Sequence, residues 1–131
     1  MTADSAIRLT REHIESQFPK LCGKCGRRFT SLAEYLRQTT HVGEPMSFDV
    51  QMGDWRPQKP VGILSLANCP CGSTMALGSQ GMKLLTLWRL MHWARGETKR
   101  RDVTMEQLLA WVRDQIDGQV LAEAQQRVPA S

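Results

Sequence analysis

The sequence lacks most of what marks an enzyme or a membrane protein. It has no nucleophile elbow, no P-loop, no dinucleotide fingerprint and no His-Glu-x-x-His pair, so the compact catalytic signatures are missing. No apolar run approaches the ~18 residues that a membrane-crossing helix requires. The segment Met1 to Thr10 is polar and does not read as a secretory leader. No internal repeat or low-complexity tract is present. Tyrosine occurs once and phenylalanine three times, so much of the large apolar surface falls to four tryptophans, Trp55, Trp88, Trp93 and Trp111. These absences predict a soluble, cytoplasmic chain that is not an enzyme.

What is present suits one ordinary domain, or one small domain with an appendage, over 131 residues. Apolar residues at 41 % can build a modest core, and charged residues at 23 % argue against wholesale disorder. The formal charge is +4. Four thiolates and one divalent cation would lower it to roughly +2, which is little attraction for a nucleic acid.

The local patterns predict a mixed architecture. A first helix is expected over Thr10–Phe18, capped by Thr10, stapled by Leu9 and Ile14, and stopped by Pro19. A second runs from Ser31 to Gln38, with Ser31 and Glu34 as a capping box and Leu32, Leu36 and Tyr35 facing inward. Phe48, Val50 and Met52 alternate with polar residues and predict a short strand. Val61–Ala67 and Ser73–Leu77 predict a hairpin around the turn at 68–72. A helix over Met82–Ala94 is apolar on most of its circumference, with Gly96 expected at its C-terminal cap and a basic connector, Lys99-Arg100-Arg101, after it. Thr104 and Gln107 then form another capping box, stapled by Val103 and Leu108. The last helix reaches Arg127, with Met105, Leu109, Val112, Ile116 and Val120 as its apolar stripe.

The four cysteines carry the most specific signal. In Cys22-Gly-Lys-Cys25-Gly, two residues between thiolates let the chain turn and aim both sulfurs at one ion. The glycine that follows can take the positive φ such turns need. Cys69-Pro-Cys71-Gly repeats the theme with one residue fewer, stiffened by Pro70. In a reducing compartment closely paired cysteines favour metal over disulfides. One structural zinc ion held by Cys22, Cys25, Cys69 and Cys71 is therefore expected, tetrahedral, with Zn–S near ~2.3 Å. His41, in the loop between the pairs, is the natural substitute ligand, whereas His13 and His92 read as ordinary histidines.

These two knuckles and the hairpin around the second resemble a zinc ribbon over roughly Lys20 to Gly78. More loosely, Cys22 to Leu77 resembles small bacterial zinc-binding modules that stand alone or precede signalling domains. The second knuckle departs from the usual two-residue spacing, and the helix after the first lies outside a minimal ribbon. The resemblance implies an α+β fold: a zinc-ribbon-like small antiparallel sheet with flanking helices and a C-terminal helical hairpin. Residues 1–80 would form the four-cysteine zinc-ribbon domain with its N-terminal helix. Residues 81–131 would form the hairpin, a dimerisation or partner-binding element.

The expected function is a non-enzymatic regulatory or adaptor module acting through protein–protein contacts, with a protein partner or a homodimer at the C-terminal helices. A four-cysteine zinc leaves no open position to activate water. Two other classes compete. In reversed order, the two cysteine pairs resemble the zinc cage of a redox-regulated chaperone family, which implies a redox sensor releasing zinc on thiol oxidation. Arg27-Arg28 and Lys99-Arg100-Arg101 would serve a nucleic-acid-binding ribbon. A rubredoxin-like iron centre is a fourth reading, recognisable by colour.

Overall fold

The structure, a computed structural model, describes residues 1–42, 46–47, 62–79 and 81–127, with 46–47, 62–65 and 127 described through the backbone alone. In chain order the elements are α1 (Ala3–Glu15), β1 (Lys20–Leu21), β2 (Arg28–Phe29), α2 (Leu32–Gln38), β3 (Thr40–His41), β4 (Met46–Ser47), β5 (Gly62–Asn68), β6 (Thr74–Gly78), α3 (Leu84–Arg101) and α4 (Met105–Arg127). The fold is α+β, with helices around two small antiparallel sheets. The strand expected around Phe48, Val50 and Met52 lies outside the described residues.

Helix α1 begins earlier than its apolar pattern suggests. Thr2 Oγ1 accepts from the Ser5 amide at 3.1 Å, and Ser5 Oγ accepts from the Thr2 amide at 2.9 Å. This reciprocal cap satisfies two donors that a bare helix end leaves unpaired. Thr10, expected as the cap, lies inside the helix and donates its hydroxyl to the Ala6 carbonyl at 2.8 Å. That bond lets a polar residue sit in the buried stripe of Ala6, Ile7, Thr10 and Ile14.

Helix α2 keeps half of its predicted box. Ser31 Oγ accepts from the Glu34 amide at 3.2 Å, but the Glu34 carboxylate turns to the Thr30 hydroxyl. At α4 both halves form: the Thr104 amide donates to Gln107 Oε1 at 2.9 Å, and the Gln107 amide to Thr104 Oγ1 at 3.1 Å.

Helix α3 departs furthest from expectation. It runs straight through Gly96 to Arg101 and stops at Asp102, which takes a left-handed conformation at φ 55°. The predicted connector Lys99-Arg100-Arg101 is thus the last helical turn, where cations oppose the exposed carbonyl ends. Glu97 gathers it: Arg100 Nη2 and Arg101 Nε reach Glu97 Oε2 at 2.6 and 2.7 Å. The Arg101 guanidinium also lies over the Trp111 ring at 4.2 Å, bracing α3 on α4.

In the larger sheet, β6 pairs antiparallel with β5 along its length, from Ile63↔Gly78 to Asn68↔Thr74. The other edge of β5 takes β3 at its C-terminal end (Thr40↔Asn68) and β4 at its start (Ser47↔Gly62). The smaller sheet is the β1–β2 pair, Lys20↔Phe29 and Leu21↔Arg28. The two-residue strands β1 to β4 are too short to leave a periodic signal in sequence.

One cluster of buried side chains joins these layers. Ile7 and Ile14 of α1, Phe29 of β2, Leu32 and Tyr35 of α2, and Leu77 of β6 pack with Val112, Ile116 and Val120 of α4. Tyr35 meets Phe29 edge-on at 5.5 Å and Phe18 at 5.8 Å. A second cluster, Leu87, Met91 and Ala94 against Met105 and Leu108, closes α3 on α4. Leu108 rather than Leu109 occupies the buried position there, since Leu109 is only partly covered. Arg11 of α1 reaches Gln119 and Glu123 of α4, adding a polar seam. Among the described residues no helix is long and apolar enough to cross a membrane.

Candidate metal centre

Each cysteine pair sits at the tip of a β-hairpin, and the two tips are built alike. In the first, the Cys22 amide donates to the Arg27 carbonyl at 2.9 Å, and the Gly26 amide donates back to the Cys22 carbonyl at 2.9 Å. In the second, the Cys69 amide donates to the Ser73 carbonyl at 2.9 Å, and the Gly72 amide to the Cys69 carbonyl at 2.8 Å. Closing both loops requires a left-handed residue after the second cysteine. Gly26 and Gly72 supply it at φ +76° and +96°, where a Cβ would be strained.

The hairpins face each other. All four Sγ atoms lie within 4.8 Å of one another. Across the gap Cys22 Sγ stands 3.7 Å from Cys71 Sγ, and Cys25 Sγ 3.6 Å from Cys69 Sγ. Four sulfurs placed tetrahedrally at ~2.3 Å from one centre stand about 3.8 Å apart, so these spacings suit a shared cation. They are far longer than the ~2.05 Å of a disulfide, and all four cysteines are free thiols. The donor set can hold a metal ion.

The site is half embedded. Cys22 and Cys69, each 2 % exposed, belong to the main core cluster, whereas Cys25 and Cys71 face solvent. Ser73 sits between the hairpins with Oγ 3.1 Å from Cys22 Sγ and 3.1 Å from Cys71 Sγ. The motif spacing did not single out Ser73, because a serine two residues after Cys71 acquires meaning only when the other hairpin arrives.

The sulfurs have unequal acidities without a cation. The Ser73 hydroxyl, with the Cys25 and Lys24 amides, brings the Cys22 thiol down to about 5 against the effect of burial. The same hydroxyl and the Ser73 amide lower Cys71. At Cys69 the Cys71 amide pulls down, but burial and the surrounding sulfurs outweigh it and push the thiol up to about 12. Like charges this close cannot all ionise unless a cation compensates them.

The histidines stand apart from the cluster. His41 Nε2 lies 3.5 Å from Asp117 Oδ2, and His92 stacks on Trp88 with ring centroids 5.8 Å apart. His13 lies in the last turn of α1. Of the basic runs, Arg27 Nη1 donates to Gln38 Oε1 at 2.6 Å, while Arg100 and Arg101 are held by Glu97. Compared with protein-family models, curated proteins and solved structures, the chain matches none.

Proposed function

We propose that the chain is a zinc-folded regulatory or adaptor module that acts through protein–protein contact and performs no catalysis. Zinc suits a closed set of four sulfurs better than a harder cation would. Two hairpins of the β1–β2 and β5–β6 type carry too little apolar surface to fix each other alone. A metal across their tips supplies on the order of 10 kcal/mol of folding energy. The zinc-ribbon likeness of the two knuckles agrees with this role.

The observation that carries the contact reading is the N-terminal end of α3. Leu84, Leu85 and Trp88 are 55 %, 60 % and 52 % exposed, side by side on a helix whose adjoining face is already packed on α4. Bulky apolar residues grouped this way mark interaction surfaces more often than scattered ones do. A second copy of the chain is the partner proposed. The intramolecular ties of Arg100 and Arg101 favour this reading over nucleic-acid binding. Native mass spectrometry tests it in one measurement: one zinc per chain and a dimer are expected, with Trp88→Glu giving a zinc-loaded monomer. A wild-type chain without zinc, or one monomeric at tens of micromolar, contradicts the proposal.

A further inference from the structure

Cys25 and Cys71 are both exposed, so exposure alone would make them equally open to attack. Their surroundings differ. Ser73 Oγ lies 3.1 Å from Cys71 Sγ and 3.1 Å from Cys22 Sγ, one from each hairpin. Among the described residues, Cys25 Sγ faces the other three sulfurs, with Cys69 Sγ at 3.6 Å. The Ser73 hydroxyl has one proton, which the two thiolates of the loaded site share, and its donation draws on the lone pair that would otherwise attack an electrophile or accept a competing ligand. It also fixes the direction of that lone pair. Outer partners of metal ligands tune both affinity and reactivity in this way.

We infer that the metal centre has a guarded edge, Cys22–Cys71, and a labile corner, Cys25, and that the Ser73 hydroxyl creates the difference. The inference rests on the proposed metal reading and extends it: Cys25 is the position at which electrophiles or competing ligands enter. The backbone favours this division of roles. The Ser73 carbonyl already holds the Cys69 amide at 2.9 Å, which pins the residue and leaves its hydroxyl to serve the sulfurs. Removing the hydroxyl therefore leaves the hairpin turn intact. Lys24 and Arg27 flank Cys25 and are exposed, so anionic reagents would be drawn to the same corner.

The test is site-resolved alkylation of the full, zinc-loaded chain by iodoacetamide. The Cys25 thiolate attacks the methylene carbon, a sulfur–carbon bond forms, the carbon–iodine bond breaks, and iodide leaves with the electron pair. Peptide mass spectrometry over time is expected to find Cys25 modified first, with Cys71 about tenfold slower. In Ser73→Ala, Cys71 should rise to the rate of Cys25, and a zinc chelator should compete roughly 10- to 100-fold more effectively. Ser73→Thr, which keeps the hydroxyl, should restore the wild-type order. Cys71 reacting first in the wild type, or an order unchanged in Ser73→Ala, overturns the inference while the metal reading stands. Native mass spectrometry of the same sample separates the two cases, because a metal-free wild-type chain brings both down.

Discussion

His41 and Asp117 face each other across the seam between β3 and α4, with Nε2 3.5 Å from Oδ2. Burial lifts the Asp117 carboxyl above its ordinary value; His41 and Arg113 pull against the lift, and Asp114 adds to it. A raised carboxyl favours its protonated form in the fold. Its contribution is therefore fully present below the unfolded value near ~3.9 and is lost as pH rises through the raised one. At pH 7 the ionised Asp117 costs stability. Asp117→Asn is thus expected to melt at a higher temperature than wild type at pH 7, with the gap closing below about pH 3.9. Melts followed by circular dichroism across that range check this, and a variant that melts lower at pH 7 contradicts it.

Glu97 gives the opposite sign. The Arg100 and Arg101 guanidiniums hold its carboxyl down to about 2. A depressed carboxyl stabilises the fold above its unfolded value and ceases to do so as pH falls through the folded one. Glu97→Gln should therefore melt lower than wild type at pH 7, and the two curves should converge as pH drops from about 4.3 to about 2. Because the Arg100 partner is exposed while Glu97 and Arg101 are partly covered, added salt should narrow the gap at pH 7 only in part. Parallel melting curves at every pH would show that the ion pairs contribute nothing.

These residues also show what the sequence can and cannot carry. The spacing of Cys22, Cys25, Cys69 and Cys71 needed no tertiary information, since each knuckle is a local turn with its own glycine. The Thr104–Gln107 box was legible for the same reason. Gly96 misleads because a glycine weakens a helix by only about 1 kcal/mol, and Glu97 bonding to Arg100 and Arg101 one turn on restores the preference for continuing. Thr10 misleads in the other direction: a threonine before an apolar pattern looks like a cap, and only burial of Ala6 and Ile7 shows the helix already under way. Ser73 is silent in one dimension because its two sulfur partners come from opposite hairpins.

Ile116 tests whether α4 is integral to the fold that presents the candidate metal site. Its side chain is 1 % exposed and shares a cluster with Phe29, Leu77 and Cys22. Truncation to alanine removes buried methylenes and leaves a gap that the surrounding strands and helices close only in part. Ile116→Ala should lose about 2–5 kcal/mol in denaturant unfolding. It should also weaken zinc retention, because the hairpin bearing Cys69 rests on the same core. Unchanged stability would mean that α4 packs beside the cysteine-bearing half rather than into it.

Proton release on metal binding is the most direct probe of the four-sulfur centre. Without a cation the Cys69 thiol, raised to about 12, is protonated at neutral pH, whereas Cys22, lowered to about 5, is already a thiolate. A metal must have all four sulfurs deprotonated, so binding at pH 7 displaces at least the Cys69 proton. The sign follows: protons compete with the metal, and apparent affinity climbs as pH rises from about 5 towards 8. Each proton released adds about tenfold in affinity per pH unit. Calorimetric zinc titrations in buffers of different ionisation enthalpy count the protons. A count of one or more at pH 7, falling in a Cys69→Ser variant that still binds weakly, is the expected result. Zinc binding with no proton release would mean that Cys69 is not a ligand, and the second hairpin would then reach the centre through Cys71 alone.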